Sequence, residues 1–268
     1  PRSTLFPYTT LFRSRIQGIM VGGRAMGVVV LSSLIGVLAQ NVSWRAAFWL
    51  LAILTLLPMV FLIGFQEPPR KAGQKFEWQA FTAFKRWPII ALGLLGALYS
   101  LIINAANEII NPFLQSDFGI SVMMAGFFTT IWGIGVVVGG VTGGPLTDRV
   151  GQRRAVEIAL VISFVSVAVF SFTPTAGIAW PLVFIFGLAF GYYETVYFSI
   201  SMRRSDPRIA ASMFSILMAI ANIGTGIGLA MAGLLADGVG YRWTFVIIAS
   251  LNLLAIPLLP AIFGKREK

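Results

Sequence analysis

Eight apolar runs, each close to the length that crosses a lipid hydrocarbon core of roughly 30 Å, constrain this chain more than anything else in it. They fall at approximately residues 16–40, 47–65, 88–110, 123–146, 155–172, 179–201, 209–236 and 243–263. Within such a run, every backbone polar group must be satisfied by the chain itself. Only helices or a closed barrel can do that in lipid. The runs do not alternate between apolar and polar residues, which argues against barrel strands. The expected fold is therefore all-α: a polytopic membrane protein of eight transmembrane helices.

Composition agrees with this solvent. Hydrophobic residues make up 57% of the chain and charged residues 11%, where a soluble domain carries about a quarter. The mean hydropathy is +0.84. A net charge of +10 is also what a nucleic-acid-binding chain carries, but here the basic residues sit in short turns between apolar runs, where a topology signal belongs. No nucleic-acid partner is expected. The sequence has neither Cys nor His, so a disulfide framework, a metal site, a bound cofactor and an imidazole proton relay are not expected either.

The turns also give an orientation. Residues 66–87 carry Arg70, Lys71, Lys75, Lys85 and Arg86. Alternate later turns carry Arg149, Arg153 and Arg154, then Arg203, Arg204 and Arg208. The end of the chain adds Lys265, Arg266 and Lys268. The opposite turns hold Arg45 and Arg242. The positive-inside rule places the basic turns and the C-terminus in the cytoplasm. Residues 66–87 form the one long polar stretch, with Pro68 and Pro69, and divide the runs two plus six. Trp78, Phe81, Phe84 and Trp87 within it recur every third residue, as in an amphipathic piece lying along the membrane surface or an ordinary interfacial aromatic belt.

The turn at residues 144–154 reads GPLTDRVGQRR. Gly144 permits close helix approach, and Gly151 a positive-φ turn. Asp148 is suited to capping a helix N-terminus. Arg149, Arg153 and Arg154 lie at the membrane surface. This turn resembles the signature G-x-L-x-D-R-x-G-x-[KR]-[KR] of the major facilitator superfamily, departing from the family's frequent basic residue at Gln152. The resemblance places the turn between helices eight and nine of twelve, where it would help latch one state. WRAAFW at 44–49 and GYRWTF at 240–245 are similar to family positions as well. SMRRSDPRIAASMF at 201–214, followed by AIAN at 219–222, is similar to the muropeptide permease and acetyl-CoA transporter branch.

The resemblance implies a secondary transporter, not an enzyme. It would move a small solute by alternating access, with the proton as candidate coupling ion. A transport-inactive sensor or scaffold on the same fold is the alternative. The implied domains are 15–65 (the last two helices of an N-terminal bundle whose first four are missing), 66–87 (central linker), 88–264 (C-terminal bundle) and 265–268 (tail). The implied location is a bacterial or archaeal plasma membrane. Residues 1–14, PRSTLFPYTTLFRS, resemble a translated sequencing adapter and are set aside.

Ionisable groups inside spans cost about 2.5–3.5 kcal/mol each and are functional candidates by default. Most of the ten acids fall outside the spans. Glu157 follows Arg153 and Arg154 by one helical turn, as in a structural ion pair. Glu194 remains, deep in its run between Tyr193 and Tyr197. A carboxylate there suits reversible protonation or recognition of a cationic group; a structural hydrogen bond is the plainer alternative. Ser100, Asn104, Asn107 and Asn111 share one helical face beside Glu108, which points to a polar cavity or to interhelical hydrogen bonding. Asn222 joins the same pathway hypothesis. Arg24 is expected to snorkel to the basic side or to contact Asp148. Gly18/Gly22, Gly23/Gly27, Gly135/Gly139/Gly143, Gly140/Gly144, Gly187/Gly191 and Gly224/Gly228 read as close helix contacts.

Overall fold

The computed structural model describes residues 13–60, 78–206 and 208–264, and no strand occurs among them. The helices are α1 (Arg13–Asn41), α2 (Trp44–Val60), α3 (Trp87–Phe118), α4 (Val122–Val150), α5 (Gln152–Ala168), α6 (Ala176–Arg204), α7 (Ala210–Val239), α8 (Tyr241–Ser250) and α9 (Leu259–Phe263). Three 3-10 stretches join them at Trp78–Lys85, Val169–Phe172 and Leu251–Leu258. Seven segments among the described residues are long and apolar enough to cross a membrane, α8 and α9 forming one of them with the stretch between. The second expected span is represented by α2, 17 residues long; its expected end at residues 61–65 lies outside the described residues. So do most of the polar linker, the chain end at 265–268 and residues 1–12 of the segment set aside above. Arg13 and Ser14 of that segment belong to α1.

Local chemistry explains where the helices stop. Pro88 sits in the first turn of α3, and Gly119 closes it at φ 65°. Ser121 caps α4 by accepting a hydrogen bond from the Met124 N–H at 3.2 Å. Between α4 and α5 the chain reverses at Gly151, φ 83° and ψ 153°, a conformation open essentially to glycine alone. The aromatic spacing of three in the linker matches the 3-10 period. Phe81 and Phe84 stack at 6.2 Å and pack on Ile209 and Met213 at the start of α7. These two rings thus face protein.

Packing follows the glycines. α4 lies between α1 and α6, and α3 runs along α7. A Cβ at Gly139 would fall on the Leu188 carbonyl, one at Gly187 on that of Trp132, and one at Gly191 on that of Val136. Gly18 meets Gly140 between α1 and α4, while Gly224 and Gly228 meet Ala97 and Leu101 between α3 and α7. Gly23 and Gly27 depart from this pattern, because no described residue approaches either of them. Large apolar side chains point outward instead, among them Trp49, Phe172 and Leu234. A lipid solvent accommodates that surface; water would not.

The two ends of the bundle differ in charge. Arg203 meets Asp148, and Arg153 donates to the Gly264 carbonyl at 2.9 Å, so the ends of α4, α6 and α9 and the start of α5 share one basic end. At the other end Arg242 pairs with Asp117 at 3.4 Å, and the Gln40 side chain accepts from the Met123 N–H.

Candidate functional site

α6 holds an unbroken enclosed stretch, with every residue from Ala189 to Tyr197 buried. It presents Glu194, only 4% exposed, toward α1. There Arg24 Nη2 donates to Glu194 Oε2 at 2.5 Å. Arg24 therefore neither snorkels away from the protein nor contacts Asp148. A buried carboxylate attracts the nearest cation that can reach it, and a guanidinium about three turns into α1 is within reach. This contact lies 170 residues apart in sequence.

Aromatic rings close the space beside the carboxylate. Tyr99 of α3 packs against Tyr193 at 5.0 Å and Tyr197 at 4.9 Å between ring centroids. All three tyrosines are buried. The Tyr197 hydroxyl donates to the Leu217 carbonyl at 3.3 Å; that of Tyr193 has no hydrogen-bond partner among the described residues. Gly96 makes room for Tyr197, since a Cβ there would collide with its hydroxyl. α1, α3 and α6 thus converge on a single acid.

A polar seam continues along α3. The Ser100 hydroxyl lies 2.7 Å from that of Thr225 on α7. Asn104 donates to the Ser100 carbonyl at 2.8 Å and to Thr225 at 3.3 Å. Asn111 donates to Thr129 of α4 at 2.9 Å. Asn107 and Asn111 line a cavity of about 10 Å³ with Phe128, Thr129 and Trp132. Glu108 and Asn222 are both exposed and lie apart from these bonds. Between α1 and α4, Thr130 gathers Ser32 at 2.8 Å and Ser33 at 2.5 Å. Tyr99, Gly96, Thr225 and Thr130 were not singled out by the sequence. Single hydroxyls, small residues and tyrosines in apolar helices carry no periodic signal of their own.

At the basic end Asp148 bonds Arg203, at the last turn of α6, at 2.5 Å. α5 begins at Gly151 without a side-chain cap. The expected capping role thus gives way to an ion pair, which a carboxylate beside a guanidinium favours over a backbone N–H. Arg153 bonds Glu157 at 3.1 Å, the i,i+4 pair its spacing indicates. Arg149 and Arg154 are exposed. No cluster of metal-ligating side chains occurs among the described residues.

A helical bundle with apolar outer faces, glycine-lined contacts and an ion pair to a buried acid within its spans defines a polytopic membrane protein. The chain belongs to the Major Facilitator Superfamily, whose sequence profile matches residues 8–107 and 92–268. Relatives include the sialic acid transporter NanX of Escherichia coli, 23% identical over 66% of this chain and 45% of that protein. The transcription regulatory protein OpdE of Pseudomonas aeruginosa is 26% identical over 90% of this chain and 61% of its own length. The human synaptic vesicular amine transporter is 26% identical over 92% and 49%. The chain therefore spans roughly half the length of these relatives. Among solved structures, an inward-facing, unoccupied bacterial homologue of the human lysosomal transporter Spinster shares the fold. Its TM-score is 0.60 at 19% identity, over 91% of this chain and 64% of that one.

Proposed function

We propose that this chain is the greater part of a secondary transporter that moves a small solute by alternating access. The Arg24–Glu194 pair joins its two bundles within the membrane. The observation that carries this reading is that pair itself: the described residues place it between α1, which precedes the polar linker, and α6, which follows it. In this reading α1 and α2 close an N-terminal bundle whose first four helices lie upstream. Residues 88–264 form the six-helix C-terminal bundle, and the linker and C-terminus lie in the cytoplasm of a prokaryotic plasma membrane. Solute passes between the bundles along Asn104, Asn107, Asn111 and the neighbouring Glu108 and Asn222, with Tyr193 and Tyr197 framing the acid. Gly144, Asp148, Arg149, Gly151, Arg153 and Arg154 form the gating turn, with Asp148–Arg203 holding it closed.

A proton is the coupling ion that Glu194 suits. Protonation removes the charge that holds Arg24, so one event both loads a proton and frees α1 from α6. Relatives named for sialic acid, amines and multiple drugs support transport as the class of activity and leave the solute general. The match to a relative named as a transcription regulatory protein favours a transport-inactive sensor as the second reading. Uptake into liposomes by the full-length protein, with and without a proton gradient, separates the two. Gradient-driven uptake that becomes gradient-independent in Glu194→Gln supports the proposal. Unchanged coupling in that variant removes Glu194 from the role, and no uptake of any offered solute favours the sensor.

A further inference from the structure

At the basic end, a cavity of about 400 Å³ opens where the linker turn, the start of α3 and the α6–α7 junction meet. Arg86, Arg204 and Asp206 line it together with the apolar side chains of Ala83, Ile89 and Met213. Trp87, 57% exposed, marks the same level on α3, the level at which indole rings meet lipid headgroups.

The charge balance in this cavity is unequal. Asp206 is already satisfied, because Arg208 donates to it from the backbone N–H at 3.0 Å, from Nε at 3.1 Å and from Nη2 at 2.8 Å. Among the described residues, no carboxylate forms an ion pair with Arg86 or Arg204. The Arg204 guanidinium lies over the Phe263 ring, 5.6 Å from its centroid, which orients it without neutralising it. Two planar cations thus share the lining of one cavity with apolar side chains. A guanidinium prefers a phosphate, which it can bind through two parallel N–H donors. Apolar lining in the same cavity fits the glycerol and upper acyl carbons of a lipid, whereas a free phosphate would gain nothing from it.

We infer that this cavity binds the phosphate headgroup of an anionic phospholipid, Arg86 and Arg204 holding the phosphate and Ile89 and Met213 packing on its glyceryl end. Bound there, the lipid would bridge the linker turn to the α6–α7 junction, so the site ties the membrane's surface charge to the segment between the two bundles.

Retention of phosphatidylglycerol by the purified full-length protein, measured by native mass spectrometry from mixed phosphatidylglycerol and phosphatidylethanolamine micelles, tests this. Arg86→Ala with Arg204→Ala is expected to weaken phosphatidylglycerol retention by roughly thirtyfold, the effect of removing two basic residues near an anionic surface. Phosphatidylethanolamine retention should hold. Arg154→Ala, an exposed arginine at the same end, serves as the control. An equal loss in that control would overturn the site in favour of diffuse surface charge. Displacement of the lipid by millimolar inorganic phosphate would overturn the lipid as occupant. Arg86→Lys with Arg204→Lys keeps the charge and loses the planar fork; it should fall between wild type and the double alanine. Size-exclusion profiles matching wild type establish that the variants fold.

Discussion

Arg24 on α1 meets Glu194 on α6 at 2.5 Å between Nη2 and Oε2, and the two are unequally buried: 59% of the arginine side chain is exposed against 6% of the glutamate. That inequality makes the two single substitutions unequal. Arg24→Ala strands a charge in a dry site. It should cost about 3 kcal/mol, the lower edge for breaking a buried pair, because only the glutamate is fully enclosed. Glu194→Gln leaves an exposed guanidinium and should cost less. Arg24→Gln with Glu194→Gln should recover much of the loss. Thermal unfolding in detergent reads all three, and a larger loss for Glu194→Gln than for Arg24→Ala would contradict the burial argument.

Glycines at backbone contacts should tolerate nothing larger. At Gly139 and Gly191 an added Cβ would strike a carbonyl of the neighbouring helix, and neither helix backbone can yield locally. Alanine at either position should lower the melting temperature by several degrees, in line with overpacking costs of about 1–3 kcal/mol. Gly23→Ala and Gly27→Ala meet open space and should be neutral or gain up to about 1 kcal/mol from helix propensity. Thermal melts of the four variants side by side make the comparison.

Gly151 holds φ 83° and ψ 153° between α4 and α5. Gly151→Ala should cost about 1–3 kcal/mol from backbone strain, although a Cβ there would touch none of the described residues. The loss should appear as faster amide exchange at the α4–α5 turn, with the α3–α7 contact unaffected.

Much of this was legible in the sequence, and what was not has a physical reason. The helices were readable because lipid demands long apolar runs, and Glu194 because an acid stands out inside one. The Asp148 turn carried a motif. Arg24 as the partner of Glu194 was not readable, since no local spacing reports a contact between helices so far apart in the chain. Thr225 was hidden for the same reason: its hydroxyl matters only because α7 lies beside Ser100 and Asn104. Asn222, three residues before Thr225 on α7, is exposed and makes none of these bonds.

Acid should act on the α6–α7 junction only at low pH. Hydrogen bonds from the Arg208 side chain and backbone lower the Asp206 pKa from 3.8 to about 2, with the charge of Arg86 adding to them. A folded pKa below the unfolded one gives stabilisation that is complete above about pH 4 and is lost as pH falls through about 2. Amide exchange at the junction should therefore be flat from pH 5 to 8 once corrected for intrinsic rates, and should rise only below pH 4. Asp206→Asn should raise it at neutral pH. A change in junction protection near pH 6 would mean that another group controls it.

The Thr130 hydroxyl has more neighbours than it can use at once: the hydroxyls of Ser32 and Ser33, the Val29 carbonyl at 3.3 Å and the Gly126 carbonyl at 3.1 Å. One donor proton choosing among several acceptors can change partner without leaving oxygen bare in oil. The α1–α4 boundary thus behaves like a greased bearing with spare teeth: a small slip along it trades one bond for an equal one, and the cost of shear stays low where the glycines already keep the two surfaces smooth.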